Sequence, residues 1–356
     1  MYRNTWVEIN LDSIYHNVSV IKSHTGYKKL YAVVKANAYG HGDIEVAKVA
    51  LEAGATHLAV AFLDEAVRLR KYFNCPILVL GYTEEKYFDV AREHDIELTV
   101  THMFSYDKPL KVHIKIDTGM NRIGVKSVDE YNKLLHHIEE SKNVTLEGVF
   151  THLATAGSDD DYYKMQIDTL NHFNIDKKFV HVNNSAGMLA YNNFFNAGRL
   201  GIAMYGLIPY DGKMPTTLLQ AFSFHARITN VKKIVAGEAV GYGATYVANK
   251  PEYIATIAVG YADGWIRAHK GREVSINGKR FKTVGNVCMD QLMILVDETV
   301  CMGDIVSLIN DDITVDEVAK DLNTINYEVV CSISDRVPRV FKRNGEIVKT
   351  NNYRFD

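Results

Sequence analysis

Short apolar runs alternate with amphipathic segments between residues 30 and about 206 of this 356-residue chain. The runs are rich in Val, Ile and Leu, which is typical of strands buried on both faces of a parallel sheet. We predict strands at 30–34, 57–62, 76–80, 96–100, 112–116, 146–151 and 179–182. Seven or eight strand–helix units favour an α/β fold, a (β/α)8 TIM-like barrel. The alternative, a doubly wound open sheet, lacks support because no GxGxxG follows the first strand.

Helical periodicity fills the gaps between these strands, as in DIEVAKVALEAG, LDEAVRLRKYF and SVDEYNKLLHHIEES. Asp43 is the predicted N-cap of the first helix and Gly54 its end, and Ser127 is the predicted N-cap of the third. Between Val100 and Lys111 only about ten residues remain, too few for a helix with two connections. Either the fourth helix is reduced to a turn, or residues are missing from the sequence there.

The pattern changes after Tyr205, and β-rich segments dominate from Phe222 onward. These are FHARITNVKKIV, EYIATIAVGY, REVSING, FKTVGNV, LMILV and DIVSLI. Asn277-Gly278 predicts a tight hairpin, and only TVDEVAKDLN has helical periodicity. We therefore expect a barrel domain at 11–221 and a mainly β domain at 222–356, which the first ten residues join through WVEIN. Two domains also fit a chain of this length.

Composition narrows the class of protein. The formal net charge is −3 with mixed signs, which makes a nucleic-acid partner unexpected. Four cysteines without a CxxC spacing argue against a disulfide framework or a metal site. Glu8 and Asp12 interrupt the place of a secretory signal, and no apolar run approaches the roughly 20 residues of a membrane span. We expect a cytoplasmic protein with no membrane partner.

The string AVVKANAYGHG places Lys35 at the carboxyl end of the first barrel strand, the face where barrels carry active sites. Partial burial lowers the pKa of such a lysine, so its amine can form a Schiff base. Taken alone, Lys35 is more often a surface lysine, and Tyr39 a loop-packing residue. The complete eleven-residue string favours a functional role for Lys35 over that of a surface lysine.

That string resembles the cofactor-lysine motif of the alanine racemases, which join a pyridoxal 5′-phosphate (PLP) barrel to a β domain. Further motifs of the family follow in order along nearly the whole chain: KIDTGMNRIG, THLATA, NNSAGM, RLGIAMYG, GYGATY, GYADGW, CMDQ, INYEV and RVPR. The resemblance implies interconversion of L- and D-alanine, which supplies D-alanine for cell-wall synthesis. It also implies that Lys35 holds the aldehyde of PLP.

The remaining cofactor contacts are also implied by the resemblance. The phosphate would be held by the loops near the last barrel strands and by two tyrosines: Tyr39, Asn184, Ser185, Gly201, Ile202 and Tyr327. Each of these also fits ordinary turn or cap chemistry, and Ser185 is equally a candidate N-cap. Arg199 would face the pyridine nitrogen, with His152 beside it, although a lone histidine on an apolar strand is as often a core residue.

Racemisation by two bases needs proton carriers on opposite sides of a planar intermediate. The resemblance implies the amine of Lys35 for one side and Tyr242 for the other, with Tyr242 coming from the neighbouring subunit of a homodimer. A chain Tyr242–His152–Arg199 would stabilise the phenolate, because a free tyrosine has a pKa of about 10.

The resemblance assigns four further residues to the substrate. Tyr261 and Met289 would limit the pocket to an alanine-sized side chain, and Arg122 would hold the substrate carboxylate or the cofactor O3′. Lys115 would brace Arg122 if it is carbamylated. The alternative is a strand lysine with its ammonium group in solvent.

Gly157 and Asn286 stand where many relatives have an acidic residue and an arginine, and both are expected on the substrate corridor. Three other functions stay open. A serine or broad-specificity racemase is compatible with the pocket residues. A PLP decarboxylase of the same architecture fits less well, since Arg199 and Tyr242 argue against it and no cysteine-centred motif is found. A non-catalytic PLP carrier would not need the β domain.

Overall fold

Eight parallel strands close into a barrel, with β2 paired to both β3 and β9. The computed structural model describes residues 3–176, 180–191, 195–210 and 217–352. The barrel strands are β2 (Lys29–Val33), β3 (His57–Val60), β4 (Ile77–Tyr82), β5 (Glu97–Val100), β6 (Leu110–Lys115), β7 (Val144–Phe150), β8 (Val180–His181) and β9 (Ala197–Leu200). The predicted barrel is confirmed. Residue 179 of the last predicted strand lies outside the described residues.

Helices follow most of these strands. They are α2 (Lys35–Tyr39), α3 (Asp43–Glu52), α4 (Leu63–Arg70), α5 (Phe88–Glu93), α6 (Val128–Glu140), α7 (Asp160–Asn171) and α8 (Ser185–Ala190), with one-turn 3-10 helices at Glu85–Tyr87 and Ile202–Tyr205. The helix α1 (Leu11–Thr25) precedes β2. Strand residues such as Leu58, Leu98 and Ile114 are fully buried, as both-face burial requires.

Helix starts test the predicted caps. Ser127 caps α6 as predicted: its hydroxyl accepts from the amide of Glu130 at 3.2 Å, and the Glu130 carboxylate accepts from the amide of Ser127 at 3.1 Å. The prediction that Asp43 is an N-cap is wrong, because Gly42 occupies that position and Asp43 is the first helical residue. The helix then ends as its sequence indicates, with Gly54 at a φ of 108°.

The segment between β5 and β6 contains no helix, as its length indicated. Phe104 is buried and packs edge-on against Phe88 of α5 with ring centroids 5.7 Å apart. The hydroxyl of Tyr106 donates to Asp89 at 2.8 Å. A short irregular segment thus covers the part of the barrel that a helix would otherwise cover.

The second sheet has nine strands in the order β13-β16-β15-β14-β17-β10-β1-β18-β19. Its strands are β1 (Thr5–Asn10), β10 (Phe222–Ile234), β13 (Glu252–Ile257), β14 (Glu273–Ile276), β15 (Lys279–Val284), β16 (Leu292–Val296), β17 (Ile305–Ile309), β18 (Arg339–Arg343) and β19 (Glu346–Asn351). A two-stranded ribbon, β11 (Ala239–Val240) with β12 (Tyr246–Val247), three one-turn 3-10 helices (Tyr242–Ala244, Tyr261–Asp263 and Arg267–His269) and the helices α9 (Val315–Asp321) and α10 (Asn326–Ser332) complete this part.

The amino-terminal strand β1 pairs antiparallel with β10 and parallel with β18. Asn277 and Gly278, with φ of 50° and 78°, form the tight turn between β14 and β15.

The chain divides into two compact units. One contains Ser13–Ala38 and Gly42–Leu219, and the other contains Met1–Asp12, Tyr39–His41 and Gln220–Asp356. The domain limits 11–221 and 222–356 with 1–10 stay a prediction. Within the described part of the chain, no helix combines the length and the apolar character that crossing a membrane requires.

Candidate active site

Lys35 lies two residues beyond the end of β2 and is half-buried. It opens α2, whose next four residues are left-handed, with φ of 52° at Ala36, 53° at Asn37, 52° at Ala38 and 54° at Tyr39. This conformation costs roughly 1–2 kcal/mol for each residue that carries a Cβ. Backbone strain of this kind is concentrated at functional sites, where the surroundings hold it in place.

The charges of four basic side chains act on His152 at this end of the barrel: Lys35, Lys115, Arg122 and Arg199. Burial lowers the pKa of His152 well below its ordinary value, and these four charges lower it further. Burial likewise lowers the pKa of Lys115 well below its ordinary value, helped by Arg199 and Arg122. The crowding of positive groups favours an anionic ligand.

Arg199, on β9, is 3% exposed and its guanidinium is held by five contacts. Nη1 donates to Nδ1 of His181 at 2.9 Å and to its carbonyl at 2.8 Å. Nη2 donates to the carbonyls of Thr151 at 2.7 Å and Val182 at 2.9 Å, and lies 3.3 Å from Nδ1 of His152. Among the described residues Nε–H has no acceptor, so one donor of this buried cation is left for a ligand.

The loop that carries His152 is fixed by a residue that the sequence did not identify. Gln166 of α7 is fully buried; its Nε2 donates to the carbonyl of His152 at 3.1 Å, and its Oε1 accepts from the amide of Ala154 at 2.8 Å. Its only signal in the sequence is a polar residue in a helix, which is uninformative. Gln166 holds His152 beside Arg199.

The loops after β8 and β9 meet through Ser185. Its hydroxyl accepts from the amides of Gly201 at 2.9 Å and Ala203 at 3.3 Å. The N-cap of α8 is Asn184, whose side chain accepts from the amide of Gly187 at 2.9 Å, so the cap prediction for Ser185 is wrong. Ile202 begins a 3-10 helix, and the first amides of a helix have no acceptor within it.

The two predicted phosphate-binding tyrosines lie together in the other unit, with the rings of Tyr39 and Tyr327 5.9 Å apart. Burial raises the pKa of Tyr327 to about 12 and raises that of Tyr39 above its ordinary value, so both hydroxyls stay protonated. The fully buried Arg339 donates through Nε to the carbonyl of Gly40 at 3.0 Å and fixes the backbone beside Tyr39.

Tyr242, Tyr261 and Met289 are 77%, 41% and 54% exposed. The amide of Tyr261 donates to the carbonyl of Cys288 at 3.0 Å, so the loops of Tyr261 and Met289 lie side by side. Nδ2 of Asn286 donates to the carbonyl of Tyr242 at 2.7 Å and ties down the Tyr242 loop. The three predicted substrate or catalytic side chains are thus presented outward.

No group of three or more His, Cys, Asp or Glu side chains in the described ranges is arranged to hold a metal ion.

Comparison with known proteins identifies the family. Residues 9–209 match the alanine racemase N-terminal domain and residues 221–341 the alanine racemase C-terminal domain. The alanine racemase of Anoxybacillus flavithermus is 48% identical over 377 aligned residues, covering 99% of this chain and 98% of the relative.

Solved structures agree. The alanine racemase of Bacillus anthracis with bound L-Ala-P has a TM-score of 0.94 at 44% identity and covers 100% of this chain and 99% of that one. A histidine racemase from Leuconostoc mesenteroides has a TM-score of 0.89 at 32% identity, and the match covers 96% of this chain and 99% of that one. The barrel, the β sheet and the matched sequence together show that this chain belongs to the alanine racemase family.

Proposed function

We propose that the protein interconverts L-alanine and D-alanine by two-base racemisation with PLP bound at Lys35. PLP supplies an electron sink that acidifies the α-proton of a bound amino acid. The positions of Lys35 and Arg199 at one end of the barrel, inside a cluster of basic side chains, support this assignment.

The residues present fit PLP. Lys35 provides an amine for its aldehyde. Ser185, Asn184, the amide of Ile202, and the hydroxyls of Tyr39 and Tyr327 are candidate donors for its phosphate. Gly201, whose amide donates to the Ser185 hydroxyl at 2.9 Å, would position that hydroxyl. Helix-terminal amides and hydroxyls are the groups that bind phosphate in barrels, beside the last two strands.

The choice of racemisation over decarboxylation rests on one observation, the Nε–H of the buried Arg199, which has no acceptor among the described residues. Burial lowers the pKa of this guanidinium only to about 10, so it stays charged at neutral pH. A permanent cation at the pyridine nitrogen disfavours protonation there, which limits how far negative charge spreads into the ring. Such a site favours rapid return of a proton over decarboxylation, for which a carboxylate partner is better suited.

We assign the transfer of the α-proton on one face of the substrate to the amine of Lys35. On the other face we assign it to the phenol of Tyr242 of the partner subunit. The large exposed fraction of Tyr242 supports this, since a catalytic tyrosine needs surroundings that its own chain does not give it. His152, held neutral beside Arg199, would accept a hydrogen bond or pass a proton on.

We assign Arg122 to the carboxylate of the substrate or O3′ of the cofactor. Lys115, which is 4% exposed, lies with its Nζ 4.8 Å from the ring centre of Phe150. Its lowered pKa favours the neutral amine, the form that reacts with carbon dioxide, and this supports a carbamylated Lys115 that braces Arg122.

Tyr261 and Met289 would restrict the side chain of the substrate. The alternative is a racemase of serine or of broad specificity, and the histidine racemase among the similar structures shows that this fold accommodates a larger side chain. We further propose a homodimer with shared active sites, a cytoplasmic location and a role in supplying D-alanine for the cell wall.

The test is to incubate the purified protein with PLP and L-alanine and to measure D-alanine, carbon dioxide and the visible absorbance of the bound cofactor. We expect D-alanine without carbon dioxide, slower turnover of L-serine, and loss of both turnover and cofactor absorbance in Lys35→Ala. Carbon dioxide without D-alanine would establish the decarboxylase instead. Cofactor binding with no turnover of any amino acid would indicate the carrier.

A further inference from the structure

A chain of buried hydrogen bonds leads from Arg199 across the barrel to a carboxylate on β5. Nη1 of Arg199 lies 2.9 Å from Nδ1 of His181, and Nε2 of His181 lies 3.1 Å from Nδ1 of His113. Nε2 of His113 lies 2.9 Å from Oε2 of Glu97. The four side chains come from β9, β8, β6 and β5.

The ends of this chain fix the position of every proton in it. A guanidinium only donates, so Nδ1 of His181 must accept and its proton must be on Nε2. Nδ1 of His113 then accepts from His181, and Nε2–H of His113 donates to Glu97. A carboxylate only accepts, which completes a single consistent direction. Both histidines are neutral in this arrangement.

The surroundings hold these side chains in place and keep His181 neutral. Glu97, His113 and His181 are 5%, 0% and 1% exposed. Burial, followed by the charge of Arg199, lowers the pKa of His181 well below its ordinary value. The ring of His181 is stacked between Tyr31 at 5.1 Å and Phe150 at 4.7 Å.

The carboxylate of Glu97 compensates for the positive charge of Arg199, although the two groups are not in contact. Burial raises the pKa of Glu97, but the hydrogen bond from His113 acts against it, and the pKa is lowered overall. No carboxylate within the described ranges forms an ion pair with Arg199. A buried cation without a compensating anion destabilises the fold. Glu97 is the anion that balances it through two imidazoles.

We propose that Glu97 and His113 are positioning residues of the active site, which hold His181 in the tautomer that keeps Nη1 of Arg199 bound and Nε–H directed at the cofactor ring. This rests on the proposed function, because the role of Arg199 towards the ring nitrogen is part of it. Neither Glu97 nor His113 belongs to the cofactor or substrate contacts assigned above.

Glu97→Gln tests this because an amide both donates and accepts. If the amide donates to Nε2 of His113, the proton of that ring moves to Nδ1 and points at His181. His181 must then carry its own proton on Nδ1, facing Nη1 of Arg199. In the variant, the hydrogen bonds of the chain can therefore run in either of two directions, one of which breaks the Arg199–His181 hydrogen bond.

The experiment is 15N NMR of the histidine-labelled protein, read together with turnover and the absorbance of bound PLP. In the wild type we expect unprotonated Nδ1 and protonated Nε2 for both His113 and His181. In Glu97→Gln we expect mixed tautomers, a shifted cofactor absorbance, and a kcat lowered about tenfold or more with little change in KM, as for other residues that orient a ligand indirectly.

Two variants serve as controls. Glu97→Asp keeps an acceptor-only end and should restore the tautomers at least partly. Glu147→Gln removes a carboxylate from β7 that makes no hydrogen bond to either histidine in the described structure, and it should leave tautomers and spectrum unchanged. A protonated Nδ1 on His181 in the wild type, or an unchanged spectrum and tautomer in Glu97→Gln, would overturn the proposal. The tautomers remain measurable if the protein proves not to be a racemase, so the two failures are distinguishable.

Discussion

Within the described structure, Arg199 uses four of its five N–H groups for contacts in the barrel wall, and the fifth is the one that we propose acts on the cofactor. The three backbone carbonyls and two imidazoles around it fix the plane of the guanidinium before any ligand arrives. Such preorganisation is what allows a charged group to act on a ligand without rearrangement. At the residue scale, the site is a set of donors fixed by the protein.

Ser185 tests the phosphate site at this scale. Ser185→Ala removes the acceptor for the amides of Gly201 and Ala203 and a proposed donor to the phosphate. A hydrogen bond to a charged group contributes about 1.5–3 kcal/mol, so we expect PLP to bind about ten- to a hundredfold more weakly in a cofactor titration.

The control for that titration is Ser158→Ala, which removes an exposed hydroxyl that donates to the carbonyl of Thr155. Equal affinities of Ser185→Ala and the wild type would remove Ser185 from the phosphate site.

Single residues were predictable where they lie in a contiguous sequence motif, as Lys35 and Arg199 do. The hydrogen-bonded chain from Arg199 to Glu97 was not, since Glu97 and His113 are 16 residues apart, His113 and His181 are 68 residues apart, and the three meet only once the barrel closes. The available signal was weak: a charged or imidazole side chain within an apolar strand, as in IELTV and KVHIK.

At the scale of elements, hydrophobic runs located seven barrel strands to within a few residues. The eighth, β9, was not predicted because Ala197–Leu200 reads AGRL, with a glycine and a buried arginine in place of an apolar run. The pairing of β9 with β2, which closes the barrel, determines the conformation of β9 more than the strand propensity of its residues does. The element that departs most from the strand pattern is the one that carries Arg199.

Gly260 tests how a turn shapes the proposed substrate pocket. A Cβ at this position would lie 2.3 Å from the carbonyl oxygens of Cys288 and Met289. Gly260→Ala must therefore separate the loops of Tyr261 and Met289, at a cost of about 1–3 kcal/mol. We expect a raised KM for alanine and a lowered kcat in steady-state assays, with the absorbance of bound PLP unchanged.

Gly237→Ala is the matched comparison: a Cβ there meets no atom within 4 Å although its φ of 91° imposes backbone strain, and its kinetics should stay close to the wild type. If Gly260→Ala has wild-type kinetics, the spacing of these two loops does not determine the pocket.

At the scale of the whole molecule, the proposed bases belong to different units of the chain: Lys35 to the barrel unit and Tyr242 to the β-sheet unit. The sequence alone could indicate two domains and, by resemblance, a dimer. It could not show the exposed fraction of Tyr242, which depends on the folded surface around it. An outward-facing phenol in a loop fixed by Asn286 is what a site shared between subunits requires.

Subunit complementation tests this central claim most directly. Lys35→Ala and Tyr242→Ala homodimers should each be nearly inactive. After subunit exchange, half the dimers are mixed and each mixed dimer has one intact site, so we expect about a quarter of the wild-type racemase activity. If mixed dimers form, as shown by mass-tagged subunits, and no activity returns, Lys35 and Tyr242 do not act across the interface and the account is wrong.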